Sequence, residues 1–222
     1  AFSGRNYEYY SEDPFLAAST AAAEVGGARS KGLITYIKHF ALNDEESDRA
    51  SLHVYSNEQA IRETYLKPFE AAVKDGGSTA VMTAMDYVND EFCGANEALL
   101  TEVLRNEWGF RGVTLSDVDE GGEAAQINTC LRAGLDNWLI FQTSGNLHSD
   151  TNADIYYLRR AAHDTLYAEA NAAVVGSEVL DWSTWARVIE VSLGILAATC
   201  AVAAVRNASK RKKDESPKEE AA

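Results

Sequence analysis

Cysteine is scarce: Cys93, Cys130 and Cys200 are the only three in 222 residues. They are too few and too scattered for a disulfide framework or a zinc site. The four histidines, His39, His53, His148 and His163, show no metal-ligand spacing, so neither a metal nor a cofactor is expected. No GxGxxG or GxxxxGKS/T phosphate loop occurs, which argues against nucleotide binding. Ser116 lacks the Gly-x-Ser-x-Gly frame of a nucleophilic serine. Positive charge is also short. The net charge is −14, and residues 181–222 carry seven basic against six acidic residues, leaving −15 on residues 1–180. Such a surface repels phosphate backbones, so nucleic acid is not an expected partner, and the acidity favours solubility. The opening residues Ala1 to Arg5 have neither the basic start nor the apolar run of a signal peptide.

What is present is globular composition: 46% hydrophobic residues, four Trp, ten Tyr and seven Phe, enough for one domain with a core. A polar loop over 1–13 leads to a helix that Pro14 opens and Gly26-Gly27 should end. Leu33–Ile37 reads as the first strand, with Lys38 and His39 directly after it. Residues 41–57 form a long polar loop of the length that is usually functional or disordered. Ser56 or Asn57 caps an amphipathic helix to about Lys74, with a kink expected at Pro68. Strands at Ala80–Met85, at the run ending in Asp117 and at Asn137–Phe141 alternate with helices at Asn96–Glu107, Glu123–Ala133 and Ile155–Ala170.

Four strands, each between two helices, make an α/β fold with a parallel sheet. The arrangement is either an open doubly wound sheet or part of a (β/α)8 barrel. A whole barrel needs roughly 250 residues. The chain is therefore read as the C-terminal part of an incomplete TIM barrel over residues 1–176. A linker follows at 177–184, then an apolar helix at 185–206 and a basic-then-acidic disordered tail at 207–222. The helix segment is a candidate single membrane span, with Trp182 and Trp185 on one flank and Arg206, Lys210, Arg211, Lys212 and Lys213 on the other. The basic flank would place the C-terminus in the cytoplasm and the domain outside the cell membrane. An Ala-rich helix packed on the domain is the competing reading.

In a barrel the strand ends share one mouth, where chemistry is done. Lys38-His39, Met85-Asp86, Asp117 and Phe141 stand at the four predicted ends. Asp117 could act as a carboxylate nucleophile held ionised by nearby cations. The plainer alternative is that Asp117 caps its loop and His39 is a satisfied core histidine. Asp119, Glu120 and Glu123 could supply a second carboxylate, though a solvated loop explains them as well. Asp136 reads as structural.

Four blocks carry a family likeness: GRNYEYYSEDPFLA (Gly4–Ala17), KHFALNDEESDR (Lys38–Arg49), AIRETYLKPFEAAVKDGG (Ala60–Gly77) and GANEALLTEVLRNEWGFRGVTLSDV (Gly94–Val118). Together they resemble glycoside hydrolase family 3, the β-glucosidase and β-xylosidase family, over roughly residues 3–175. The resemblance implies a barrel domain and retaining hydrolysis of terminal β-linked sugars, with an oligosaccharide or β-glucoside as substrate. It implies Asp117 as nucleophile, and Arg5, Lys38 and His39 as groups binding sugar hydroxyls; Asp86 joins them on the neighbouring strand end.

This chain departs from the family pattern at two points. Val118 stands where the family has Trp or Tyr, and Ala84-Met85-Asp86 where many members read Ser-Tyr-Asn. An aromatic wall and a hydrogen-bond donor are thereby lost, and Asp86 would add like charge near Asp117. No residue here matches the family's acid/base group. The resemblance therefore implies upstream sequence bearing the first barrel strands and a sandwich domain, with the acid/base residue outside these residues. The alternative is a catalytically inactive, membrane-anchored carbohydrate-binding or remnant module.

Overall fold

A computed structural model of the chain describes residues 4–118, 127–139, 151–173 and 190–191. The chain divides into two compact units, Ala1–Gly176 and Ser177–Ala222, and every element named below belongs to the first. In order these are α1 (Pro14–Arg29), β1 (Tyr36–Phe40), β2 (His53–Val54), α2 (Glu58–Ala60), α3 (Lys67–Lys74), β3 (Ala80–Thr83), β4 (Tyr87–Val88), β5 (Glu91–Phe92), a wide π-type helix (Ala98–Glu107), β6 (Val113–Val118), α4 (Ile127–Ala133), β7 (Asn137–Leu139) and α5 (Asn152–Ala170).

The main sheet has strand order β1-β3-β6-β7, and each neighbouring pair is parallel. Helices cross between each successive pair of these strands. The order follows the sequence without a reversal. A doubly wound sheet reverses at a switch point, whereas a barrel wall does not. Four strands running in sequence order fit a barrel wall, and one flank of a doubly wound sheet has the same order.

Local chemistry explains most boundaries. Asp13 caps α1 by accepting from the N–H groups of Phe15 and Leu16, with Pro14 in the first turn. The helix does not stop at Gly26-Gly27, as the glycine pair suggested, but continues to Arg29. An interior glycine costs roughly 1 kcal/mol against alanine. Here Gly26 lies against the end of α3, where a Cβ at Gly76 would meet Ala22 O at 2.9 Å and Ala72 O at 2.8 Å. The small residues let the two helices touch, and Ala21, Val25 and Ala72 are buried there.

The second helical stretch is capped by Asn57 Oδ1, which accepts from Ala60 N. It winds wide over Ile61–Tyr65 and restarts as α3. The break falls at Leu66, two residues before Pro68, which has no N–H to give and sits in the first turn of α3. In the first strand the sequence reading is shifted: β1 is Tyr36–Phe40, and Leu33 is 60% exposed. Lys38 and His39 therefore lie within the strand. An irregular register between Ile37 and Phe40 lets consecutive His39 and Phe40 both be buried.

The main core gathers Phe40, Leu66, Val81, Leu100, Leu104, Trp108 and Leu135. Phe40 meets Phe69 and Trp108 edge-on, at 5.1 and 5.9 Å between ring centres. A polar clamp closes the far end of the sheet. Arg105 bonds Asp136 at 2.7 Å and Asp164 at 3.0 Å, and Asp136 also accepts from Thr114 N. That clamp ties the wide helix, β6, β7 and α5 together. The predicted loop 41–57 is less irregular than expected. It holds β2, which pairs with β4, and β4 pairs with β5, in a small second sheet that the sequence did not reveal. Short strands of two residues each leave no legible alternation.

Among the described residues no helix is long and apolar enough to cross a membrane. The candidate span 185–206 lies outside the described residues, apart from 190 and 191. So do Phe141, Asp119, Glu120, Glu123, His148, Cys200 and the tail 207–222.

Candidate active site

Asp117 sits near the C-terminal end of β6, with a side chain only 8% exposed. Its Oδ1 accepts from Val118 N at 2.7 Å. Its Oδ2 faces His39 Nε2 and Arg49 Nη1, each at 3.5 Å. Neither contact reaches good hydrogen-bond geometry. Oδ2 is thus a buried carboxylate oxygen with no hydrogen-bond partner among the described residues.

The state of His39 follows from its neighbours. Burial pushes its pKa down to about 4; the Asp117 charge opposes this, while Lys38, Arg5 and Arg49 add to it. The ring is neutral at physiological pH. Asn43 Nδ2 lies 3.4 Å from His39 Nδ1 and donates to Glu46 Oε1 at 3.2 Å. Glu46 can only accept, so the amide nitrogen of Asn43 must face it, and Nδ1 of His39 is then the acceptor. The imidazole proton is left on Nε2, pointing at Asp117.

Cations surround this pair, and each is held by a carboxylate. Arg5 grips Glu8 with Nε at 2.8 Å and Nη2 at 2.9 Å, and Lys38 Nζ meets the second Glu8 oxygen at 2.8 Å. The hydrogen bonds from Arg5 and Lys38 pull the Glu8 carboxyl down to about 2. Arg49 and Arg5 reach Glu46 at 3.2 and 3.9 Å. Tyr9 donates its hydroxyl to Asn43 O, which pins the loop after β1.

Beside the cluster a cavity of about 790 Å³ runs along β1 between α1 and α3, its walls including Glu8, Lys38, His39, Tyr65 and Phe69. Asp117 is not on its wall; the cavity meets the site through His39 and Lys38.

Of the residues singled out by sequence, Arg5, Lys38, His39 and Asp117 come together. Asp86 stands apart. It is fully buried, Cys93 Sγ lies 3.8 Å from its Oδ1, and its Oδ2 has no partner among the described residues. Burial pushes its carboxyl up to about 7, and the charge of Asp44, not that of Asp117, adds to the rise. Sequence reasoning missed Arg49, Glu8, Asn43 and Glu46. Arg49 had a signal, since it is the one Lys or Arg in the acidic loop 41–57.

The family model of the glycosyl hydrolase family 3 N-terminal domain matches residues 2–162. Beta-glucosidase B of Emericella nidulans is 44% identical over 133 residues, which are 60% of this chain and 15% of that protein. Beta-glucosidase A of Butyrivibrio fibrisolvens is 50% identical over 114 residues, 51% of this chain and 14% of that protein. The chain thus spans only about a seventh of the length of these relatives. Among solved structures, beta-glucosidase 3B from Thermotoga neapolitana in complex with glucose is similar with a TM-score of 0.67 and 34% identity. The match covers 77% of this chain and 25% of that one.

Proposed function

The chain belongs to glycosyl hydrolase family 3, and on that premise we propose that it is the nucleophile-bearing part of a retaining β-glucosidase. The observation that carries this reading is the buried, unpartnered Oδ2 of Asp117 among basic groups. In the proposed reaction this oxygen attacks the anomeric carbon of a terminal β-linked sugar. The bond to the leaving oxygen breaks, and that oxygen takes a proton from an acid outside these residues. Water then cleaves the glycosyl ester and restores the carboxylate.

His39 Nε2–H, Lys38 and Arg5 serve the sugar hydroxyls, and charge-assisted bonds to them can strengthen as charge develops. Arg49 sets a positive charge 3.5 Å from Asp117 Oδ2. Asp86, buried beside Cys93 and apart from this cluster, is left out of the proposed sugar contacts. The proposal extends to the whole protein: residues 1–176 form the last strands of a barrel whose first strands and sandwich domain lie upstream. The segment 185–206 anchors it in the cell membrane, with the C-terminus in the cytoplasm.

A second reading, a sugar-binding module without turnover, draws on Val118 in place of an aromatic residue and on Met85, which is buried and offers no donor. Hydrolysis of an aryl β-glucoside by the protein joined to its upstream sequence separates the two. Turnover that is lost in Asp117→Ala supports the enzyme. Glucose binding with no turnover in the native protein supports the module.

A further inference from the structure

His39, Asp117, Arg49, Glu46 and Asn43 close a ring of polar contacts. Asp117 Oδ2 stands 3.5 Å from His39 Nε2 and 3.5 Å from Arg49 Nη1. Arg49 Nη1 donates to Glu46 Oε2 at 3.2 Å. Glu46 Oε1 accepts from Asn43 Nδ2 at 3.2 Å, and that nitrogen lies 3.4 Å from His39 Nδ1, which completes the circuit. The links are uneven. The two made by Glu46 are hydrogen bonds, whereas the two that reach Asp117 are not.

Arg49 thus faces two carboxylates and is bonded to one. Asp117 is the more buried of them, its side chain 8% exposed against 24% for Glu46. A guanidinium beside a buried carboxylate oxygen with no partner is ordinarily drawn into a direct charge-assisted bond, because the attraction is strongest where water is excluded. Here the same Nη1 that faces Asp117 is tied to Glu46, three residues earlier on the loop after β1. Glu46 is itself anchored. Its second oxygen is held by the buried Asn43, whose main-chain carbonyl accepts from the Tyr9 hydroxyl, and Arg5 Nη1 stands 3.9 Å from that oxygen.

The separation bears on the reaction. An oxygen that attacks carbon needs a free lone pair, and a direct bond from Arg49 would occupy one and damp the charge that makes it a nucleophile. At 3.5 Å the cation acts on Asp117 without taking that lone pair. We propose that Glu46 is a positioning residue: by holding Arg49 off Asp117 Oδ2, it keeps that oxygen open to the anomeric carbon. The inference rests on the glycosidase reading and adds what leaves its nucleophile uncapped.

The test is the rate at which a 2,4-dinitrophenyl 2-deoxy-2-fluoro-β-glucoside labels Asp117 in the protein joined to its upstream sequence. The carboxylate bonds to the anomeric carbon as the bond to dinitrophenolate breaks, and this leaving group departs as an anion that needs no acid. Native protein, Glu46→Gln, Arg49→Met and the double variant are compared, each checked for folding by circular dichroism. Glutamine keeps the shape of Glu46 without its charge, so Arg49 should turn to Asp117 and labelling should slow about tenfold. With Arg49→Met in place there is no guanidinium to restrain, and adding Glu46→Gln should change the rate by less than about twofold. A role confined to holding the loop together would slow labelling equally with and without Arg49. That result, or an unchanged rate in Glu46→Gln, overturns the positioning role and leaves the glycosidase reading standing. If native protein acquires no sugar on Asp117, the glycosidase reading falls and the role of Glu46 with it.

Discussion

Replacing Asp86 by Asn removes the titration of a fully buried acid, and with it a part of the chain's stability that depends on pH. In the folded chain Asp86 keeps its proton up to about 7, against an ordinary 3.8 once unfolded. Between those values the native state binds the extra proton, so stability falls as pH rises. The contribution is fully present below about 3.8 and is gone above about 7. A difference of about three units, at about 1.4 kcal/mol each, amounts to roughly 4 kcal/mol. That is a large share of the 5–15 kcal/mol that typically holds a domain together.

The side chain introduced by Asp86→Asn stays neutral at every pH. Its amide oxygen still accepts from the Cys93 thiol, but its N–H₂ replaces an oxygen with no partner, a constant cost of about 1–3 kcal/mol. The variant should therefore be less stable than the native chain near about pH 4 and more stable near about pH 8, with the two curves crossing. Urea unfolding followed by tryptophan fluorescence measures both curves, and their difference isolates Asp86 from every other titrating group. Parallel curves would refute a neutral buried acid at this position.

Other perturbations probe the rest of the account. Glu8→Ala removes the brace on Arg5 and Lys38, which must then be ordered by the ligand, so glucose binding measured by calorimetry should weaken about tenfold; unchanged affinity would remove Glu8 from its bracing role. Proton–nitrogen NMR should find the His39 ring neutral, protonated on Nε2 and titrating at about 4; an ordinary midpoint would mean that the ring is not buried among cations. Arg105→Ala strands Asp136 and Asp164 in the clamp and should cost about 3–5 kcal/mol in urea unfolding. A loss well below that would show that the clamp contributes little to the fold.

Much of this was legible because period and punctuation are local signals. The amphipathic helix ending at Lys74, the β-branched run into Asp117 and the helix from Asn96 to Glu107 could be read from a few neighbouring residues, and the parallel α/β class follows from their alternation. The family blocks pointed to Arg5, Lys38, His39 and Asp117, which the fold brings together. What stayed hidden depended on distant partners. Nothing near Gly26 announces that Gly76 will pack against it and carry α1 onward. The start of β1 is set by pairing with Ala80 and Val81, so Lys38 and His39 moved from loop to strand. Glu8, Asn43 and Glu46 looked like solvated polar residues until the cations they hold were placed beside them. A buried side chain takes its character from what encloses it, and for Asp86 that is burial beside Cys93, with the charge of Asp44 adding to the rise.

The central claim is that Asp117 is the nucleophile. The protein joined to its upstream sequence, incubated with a 2-deoxy-2-fluoro-β-glucoside, should accumulate a stable glycosyl ester. Peptide mass spectrometry should then place the added sugar on Asp117, with none in Asp117→Ala. A sugar found on any other carboxylate, or hydrolysis that persists in Asp117→Ala, would contradict the assignment.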